Sequence, residues 1–128
     1  MYYLGNYLSD FMGKIVYILY IIHVILYFIV TFKNPGIPSL STDALKENIE
    51  NGQKYDICPK CSLITFDRSS TIHCSFCNVC IENLDHHCSW NSKCIGKSTI
   101  KEFWAFIVVT KVLLFYLIIC TFITAYYL

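Results

Sequence analysis

The sequence has 128 residues, of which 55% are hydrophobic and only 15% are charged, with a mean hydropathy of +0.49. Soluble proteins average about 45–50% apolar and about 25% charged residues, so this composition indicates membrane segments. The net charge of +1 provides no strong basic field and argues against a nucleic-acid partner.

The first predicted element is a transmembrane helix at residues 15–32, preceded by a short N-terminal segment at residues 1–14. The span contains no Gly, Pro or formal charge, and its helical rise of about 27 Å approaches a hydrocarbon core of about 30 Å. A cleaved signal peptide is the alternative, but its apolar core is usually only about 7–15 residues long. His23 is interpreted as a packed, hydrogen-bonded helix residue.

A cytosolic linker is predicted at residues 33–57. Pro35 and Gly36 end the first helix, because Pro cannot continue a helix and Gly turns the chain. Residues 42–51 are predicted to form a short polar helix, with Asp43 in its first turn and Gly52 just beyond its end.

The next segment, at residues 58–102, is rich in cysteine. Seven of the eight Cys residues lie from Cys58 to Cys94. Because seven is odd, disulfides alone would leave one of these thiols unpaired. Repeated Cys-x-x-Cys pairs interleaved with His are typical of metal sites, and they indicate a reducing, cytosolic environment.

A second transmembrane helix is predicted at residues 103–128. Lys111 interrupts it and either extends its amine towards the near interface or faces an internal cavity, while Cys120 is interpreted as a small apolar residue. Eight of the ten Lys and Arg residues lie from Lys33 to Lys101. The positive-inside rule therefore also predicts a cytosolic loop between the two spans.

The cysteine-rich segment has enough ligands for two zinc ions. Its ten candidate groups are Cys58, Cys61, His73, Cys74, Cys77, Cys80, His86, His87, Cys88 and Cys94. Two structural Cys3His sites would use eight of them. On an extended strand, His86 and Cys88 lie on one face and His87 lies on the other. His87 can therefore bind metal while His86 lies beside the Cys88 thiol. The two remaining groups are then either a nucleophile and its base or structural spectators.

The segment HCSFCNVCIENLDHHCSWNSKCIG, at residues 73–96, closely resembles the cysteine-rich domain of the DHHC protein S-acyltransferases, or palmitoyltransferases. The Cys58-x2-Cys61 pair and Phe103 also fit that family. Asp67-Arg68 resembles the end of its basic-proline-x-Arg element, and the Asn34-Pro35-Gly36 tripeptide resembles its Asp-Pro-Gly.

This resemblance implies that Cys88 accepts a long-chain acyl group from acyl-CoA, such as palmitoyl-CoA, and passes it to a protein cysteine. His86 would be the activating base and Asp85 would orient it. One structural Zn²⁺ would be held by Cys58, Cys61, His73 and Cys80. The other would be held by Cys74, Cys77, His87 and Cys94.

The fold class expected is an α-helical integral membrane protein, with two transmembrane helices and a small zinc-stapled, cysteine-rich cytosolic domain of short β-hairpins. The expected partners are the lipid bilayer, acyl-CoA and cytosolic or membrane proteins that carry a juxtamembrane cysteine. The expected location is an endomembrane of the ER or Golgi. No nucleic acid is expected.

The sequence also departs from the family pattern. Ser89 stands where Pro is usual, Ser92 and Lys93 stand where two Asn are usual, and two spans are found where four are common. The chain is therefore also compatible with a fragment, a truncated gene model or a pseudoenzyme that serves as a non-catalytic membrane adaptor. A RING-type ubiquitin ligase is a further alternative, although four ligand positions between His73 and Cys80 do not match the cross-braced pairs of a RING.

Overall fold

The structure, a computed structural model, describes residues 2–39, 42–66 and 69–127, so Asp67 and Arg68 lie outside the described residues. Its elements are, in chain order, α1 (Tyr2–Phe32), α2 (Thr42–Glu50), β1 (Asp56–Ile57), β2 (Ile64–Thr65), β3 (Thr71–Cys74), β4 (Val79–Glu82), β5 (His86–Cys88), β6 (Lys93–Ile95) and α3 (Ile100–Tyr127). Consecutive strands pair as antiparallel two-stranded hairpins, β1 with β2, β3 with β4 and β5 with β6. The predicted fold class is confirmed.

The two long helices form one compact unit, Met1–Val30 with Glu102–Leu128. Each contains a stretch long and apolar enough to cross a membrane, Asp10–Phe32 and Ile100–Tyr126, with mean hydropathies of 2.5 and 2.6. Few residues of either stretch are buried, so their apolar side chains face outward, unlike those of a soluble core helix.

Both helices begin before the apolar spans predicted from the sequence. α1 continues through the polar residues ahead of residue 15, where Lys14 pairs with Asp10 one turn earlier at 2.6 Å. α3 begins at Ile100 rather than at residue 103, because Gly96 O accepts the N–H groups of Thr99 and Ile100 and so starts the first turn. Hydropathy marks the lipid-compatible part of a helix and not its ends.

Within this unit, His23 of α1 contacts α3. Its Nδ1 lies 3.1 Å from Thr110 Oγ1, and its ring lies 4.9 Å from the ring of Phe106. The Thr110 hydroxyl donates its single proton to Phe106 O at 2.7 Å, so it accepts from His23. His23 is thus a packed, hydrogen-bonded residue, as predicted.

The second compact unit, Thr31–Lys101, contains α2 and the hairpins. α2 spans nearly the whole predicted polar helix and has no buried residue, so it contributes nothing to a core. The fully buried side chains of the hairpins are few, and most of them are cysteines. A segment with so little apolar core needs another source of stability, which metal ligands can supply.

The Asn34-Pro35-Gly36 tripeptide joins the hairpins by backbone contacts. Asn34 Oδ1 accepts the N–H groups of Gly36 and Ile37 at 2.9 and 2.8 Å, which fixes the turn. Gly36 O then accepts the N–H of Glu82 at 2.9 Å, at the end of β4. The turn after the first span is therefore part of the cysteine-rich unit.

Candidate metal centres and cysteine–histidine site

Cluster A brings together the turn of the first hairpin and one face of the second. Its members are Cys58, Cys61, His73 and Cys80, whose ligand atoms all lie within 4.8 Å of one another. The β3–β4 register places His73 directly opposite Cys80. Their Nδ1–Sγ distance is 3.9 Å, and His73 Nδ1 lies 3.6 Å from Cys58 Sγ.

Cluster B joins the turn of the second hairpin to the third hairpin. Its members are Cys74, Cys77, His87 and Cys94, and their ligand atoms also lie within 4.8 Å of one another. His87 Nδ1 lies 3.3 Å from Cys77 Sγ and 3.7 Å from the sulfur atoms of Cys74 and Cys94. Because the second hairpin contributes to both clusters, a metal ion in each would link all three hairpins.

The donor sets and distances fit zinc. Three thiolates and one imidazole form a closed Cys3His set, which is typical of structural Zn²⁺. Tetrahedral Zn²⁺ with bonds of about 2.3 Å to sulfur and about 2.0–2.1 Å to nitrogen puts S–S edges near 3.8 Å and S–N edges near 3.6 Å. The observed Cys61–Cys80 and Cys77–Cys94 sulfur distances are 3.6 and 3.4 Å. Each cluster therefore fits a zinc ion that has no open position for a substrate.

The turns around the Cys-x-x-Cys pairs explain how the chain forms such a site. Ser62 and Asn78, which directly follow Cys61 and Cys77, have positive φ values of 57° and 51°. In the first turn the chain curls so that the N–H groups of Lys60 and Cys61 point at the Cys58 sulfur. These N–H groups lower the pKa of the Cys58 thiol from 9.0 to about 6 and so favour the thiolate that binds metal.

The thiols within each cluster also oppose one another's ionisation. Burial, together with the neighbouring Cys58 and Cys61 thiols, raises the pKa of Cys80 to about 12. Burial and the other thiols of cluster B likewise raise the pKa of Cys94. Three thiolates so close together need a divalent cation to balance their charge, so the donor chemistry and the electrostatics agree.

The third hairpin separates two kinds of side chain. In the β5–β6 register His87 lies opposite Cys94, and both belong to cluster B. His86 and Cys88 alternate with His87 along β5 and so share the other face of the hairpin. Cys88 belongs to neither cluster and is buried, with 7% of its surface exposed.

Asp85 and His86 form a hydrogen-bonded pair just before Cys88. His86 Nδ1 lies 2.8 Å from Asp85 Oδ2, and the Asp85 N–H donates to Ile95 O at 2.8 Å, which anchors the carboxylate residue to β6. With Nδ1–H donating to the carboxylate, Nε2 of His86 carries a lone pair and can accept a proton. Asp85 precedes the regular strand, so its side chain need not follow the strand's alternation and can lie beside His86.

The structure brings all eight sequence-predicted ligands into the two clusters and leaves Cys88 outside both of them. Sequence reasoning singled out Lys93 only as a departure from the family pattern and did not indicate that it pairs with Cys88 across the hairpin. Sequence reasoning also gave no role to Gly96, where an added Cβ atom would collide with Ile81 Cγ2 and Pro35 O. Only the hairpin register, through the turn at residues 89–92, would have indicated Lys93.

Comparisons with known proteins agree with these features. The chain is 38% identical over 82 residues to Protein S-acyltransferase 8 of Arabidopsis thaliana, a match that covers 62% of the chain and 20% of that protein. It is 44% identical over 69 residues to Palmitoyltransferase ZDHHC3 of Homo sapiens, a match that covers 50% of the chain and 22% of that protein. It is 39% identical over 61 residues to Palmitoyltransferase swf1 of Schizosaccharomyces pombe, a match that covers 47% of the chain and 17% of that protein.

The matched segment is thus about a fifth of the length of these curated relatives. A family model described as DHHC palmitoyltransferase matches residues 51–128, which include both clusters, Asp85 to Cys88 and α3. Since that match covers more than half of the sequence, the chain belongs to the DHHC palmitoyltransferase family.

Proposed function

We propose that this chain is a protein S-acyltransferase, or part of one, with Cys88 as the nucleophile. The observation that carries the proposal is the division of the third hairpin into two faces. His87 and Cys94 belong to cluster B, whereas Cys88 lies outside both clusters and shares its face with the Asp85-paired His86. A thiol with a neighbouring histidine, itself oriented by a carboxylate, is the usual arrangement of a cysteine nucleophile.

In the first half-reaction the Cys88 sulfur attacks the carbonyl carbon of a long-chain acyl-CoA thioester, such as palmitoyl-CoA. His86 Nε2 accepts the thiol proton, and Asp85 stabilises the resulting imidazolium. The carbon–sulfur bond to CoA then breaks, and the CoA thiolate takes the proton from His86. The products are an acyl thioester on Cys88 and free CoA.

In the second half-reaction a protein cysteine replaces CoA. His86 accepts the proton of the incoming thiol, the new thioester bond forms, and the Cys88 thiolate leaves and takes up that proton. Asp85 keeps its hydrogen bond to Nδ1 and so keeps Nε2 as the proton acceptor in both steps. The overall reaction moves the acyl group from one sulfur atom to another and needs no redox partner.

The zinc ions have a structural role in this proposal. Cys58, Cys61, His73 and Cys80 would hold one, and Cys74, Cys77, His87 and Cys94 the other. Bound zinc supplies folding free energy and crosslinks the hairpins. This holds the strand that carries His86 and Cys88 with the precision that thioester attack demands.

The membrane supplies the remaining part of the proposal. The bilayer would solvate the acyl chain, whose burial contributes about 0.8 kcal/mol per CH₂. The cysteine-rich unit would lie on the cytosolic side, because most of the Lys and Arg residues lie between the spans. The substrates would be proteins with a juxtamembrane cysteine on an endomembrane of the ER or Golgi.

The test uses the full chain, loaded with zinc and reconstituted in lipid nanodiscs, with radiolabelled palmitoyl-CoA. We expect one hydroxylamine-sensitive label, which is lost in Cys88→Ala and retained in the control Cys120→Ala, whose thiol lies in α3. Equal labelling of Cys88→Ala would exclude the proposed nucleophile. A folded, two-zinc wild type that forms no acyl-enzyme would instead favour the non-catalytic adaptor.

A further inference from the structure

The third hairpin places a lysine directly opposite the proposed nucleophile. In the β5–β6 register Cys88 pairs with Lys93, and His86 pairs with Ile95. Directly opposed residues of an antiparallel pair extend to the same side, with Cβ atoms about 4.5–5.5 Å apart. His86, Cys88, Lys93 and Ile95 therefore share one face, which we call the nucleophile face, opposite the face of His87 and Cys94.

The charge of Lys93 is available on this face. Lys14 and Lys97 form ion pairs with Asp10 and Glu82, at 2.6 and 2.7 Å. Within the part of the chain that the structure describes, no carboxylate pairs with Lys93. Its side chain is exposed, and its backbone is held by a hydrogen bond from its own N–H to Asn91 Oδ1 at 3.2 Å.

The position of Lys93 determines which part of the substrate it can meet. The lysine side chain is long enough to bring its ammonium group beside a thioester that Cys88 attacks, since the two residues start from opposed Cβ atoms. The phosphates of acyl-CoA are separated from the thioester by the whole pantetheine arm. Among the negative charges of the substrate, the one closest to Lys93 is therefore the one that develops on the thioester oxygen during attack.

We propose that Lys93 is a further catalytic residue whose ammonium group donates a hydrogen bond to the thioester oxygen as it becomes negatively charged. The inference rests on the proposed acyltransferase function and adds the group that stabilises its transition state. Hydrogen-bond donors aimed at a developing oxyanion usually contribute strongly to acyl transfer. Lys93 keeps its three protons throughout, and proton transfer remains with His86.

The same contact serves both half-reactions. When the Cys88 sulfur bonds to the thioester carbon, the carbonyl electron pair moves to the oxygen, where Lys93 meets it. The electron pair re-forms the carbonyl double bond as the bond to CoA breaks. When a protein thiol later attacks the Cys88 thioester, charge develops on the oxygen of the same acyl group, still attached to the residue opposite Lys93.

The test compares two reactions of the same thiol. Attack on palmitoyl-CoA passes through an oxyanion, whereas alkylation of Cys88 by iodoacetamide displaces iodide in one step and forms none. The variants are Lys93→Met, which removes the charge with little change in length, and Lys93→Arg, which keeps it. Lys54→Met, an exposed lysine of the linker, is the matched control. All are measured as full chains in nanodiscs with two zinc ions bound.

We expect Lys93→Met to slow acyl-enzyme formation by about tenfold to a hundredfold, because an exposed lysine should lie at or below the usual effect of an oxyanion donor. Alkylation of Cys88, followed by peptide mass spectrometry and measured at a pH where the thiol is fully ionised in every variant, should keep its wild-type rate. Lys93→Arg should retain most of the wild-type acylation rate. Lys54→Met should retain all of it.

Three results would overturn the inference. The first is that Lys93→Met forms the acyl-enzyme at the wild-type rate. The second is that Lys93→Met loses acylation and alkylation in parallel. The third is a hydroxylamine-resistant acyl group on Lys93, which would show that Lys93 is an acyl acceptor. Failure of the underlying function is distinguishable, because then the wild type itself forms no Cys88-dependent acyl-enzyme and both proposals fall together.

Discussion

His87 and Cys94 lie directly opposite each other on β5 and β6, and both contribute to cluster B, with Nδ1 and Sγ 3.7 Å apart. A metal ion held there would join the two strands of a hairpin that has only three residues on each side. The opposite face of those strands carries Cys88. The geometry of the proposed nucleophile should therefore depend on a metal that it does not contact.

The first prediction concerns this dependence. Cys94→Ala should reduce bound zinc from two ions to about one per chain, because a closed tetrahedral site needs its four ligands. It should also abolish acyl-enzyme formation, although Cys88 and His86 remain. Zinc content by elemental analysis and labelling by palmitoyl-CoA measure the two effects. Cys120→Ala is the matched control, and a Cys94→Ala chain that keeps two zinc ions would contradict the assignment of cluster B.

The second prediction concerns pH and cluster A. Because backbone N–H groups lower the pKa of the Cys58 thiol from 9.0 to about 6, the folded state favours its thiolate. The resulting stabilisation is fully present above the unfolded-state pKa and is lost as pH falls through about 6. Zinc competes with protons for thiolates, so release to a colorimetric chelator should increase as the pH falls through about 6. Release that is already complete at neutral pH would argue against this role of the turn.

The third prediction concerns the turns after the Cys-x-x-Cys pairs. Ser62 and Asn78 have φ values of 57° and 51°, a region that Gly enters without steric cost. Ser62→Gly and Asn78→Gly should each leave zinc content unchanged. Each should stabilise the cysteine-rich unit by up to about 1 kcal/mol, with the smaller effect at Asn78, since the left-handed conformation costs most residues roughly 1–2 kcal/mol but costs Asn less.

Ser75→Gly is the control for the third prediction, because Ser75 lies in the same turn as Asn78 but is not among the positive-φ residues. It should be neutral or destabilising. Thermal resistance to limited proteolysis measures the difference. Equal effects of the Gly substitutions at residues 75 and 78 would show that the left-handed backbone carries no appreciable strain.

The fourth prediction concerns Gly96. A Cβ atom there would lie 2.6 Å from Ile81 Cγ2 and 2.7 Å from Pro35 O. Because the second of these is a backbone atom, the chain cannot relieve the clash by a rotamer change. Gly96→Ala should destabilise the cysteine-rich unit by about 1–3 kcal/mol, as overpacking usually does.

Gly13→Ala provides the comparison for Gly96→Ala, since a Cβ atom at Gly13 meets nothing within 4 Å. That change should leave protease resistance of the cysteine-rich unit unaltered. If both substitutions are silent, the close approach of Pro35 O to Gly96 is not a constraint on this unit.

The fifth prediction concerns the proton acceptor. Asp85→Asn should slow acyl-enzyme formation by at least about tenfold, because an amide cannot stabilise the imidazolium that His86 becomes; general-base contributions are typically about 10²–10⁴. Zinc content should not change, since Asp85 belongs to neither cluster. Single-turnover labelling by palmitoyl-CoA measures the rate. A wild-type rate would show that the 2.8 Å contact between Asp85 and His86 has no catalytic role.

Much of the fold could be predicted because its signals are local. Long apolar runs identify the two spans, and the ends of the α2 helix follow from its polar sequence and the Gly beyond it. Strand alternation put His86 and Cys88 on one face and His87 on the other before any partner strand was known. The helix ends were less predictable, since hydropathy says nothing about the polar turns that extend α1 and α3.

The sequence by itself determined the kinds of groups present: thiols and imidazoles at zinc-like spacings, one surplus Cys–His pair and two apolar spans. Only the tertiary structure decided which groups meet. The spacing of the ligands left open how they divide between clusters A and B, and only the family resemblance implied that division; physically it depends on pairings across hairpins, such as His73 with Cys80. The Lys93 position opposite Cys88 depends on the register set by the turn between them. Residues far apart in the chain become neighbours only through strand pairing, and strands of two to four residues are too short for their hydrophobic pattern to specify the register.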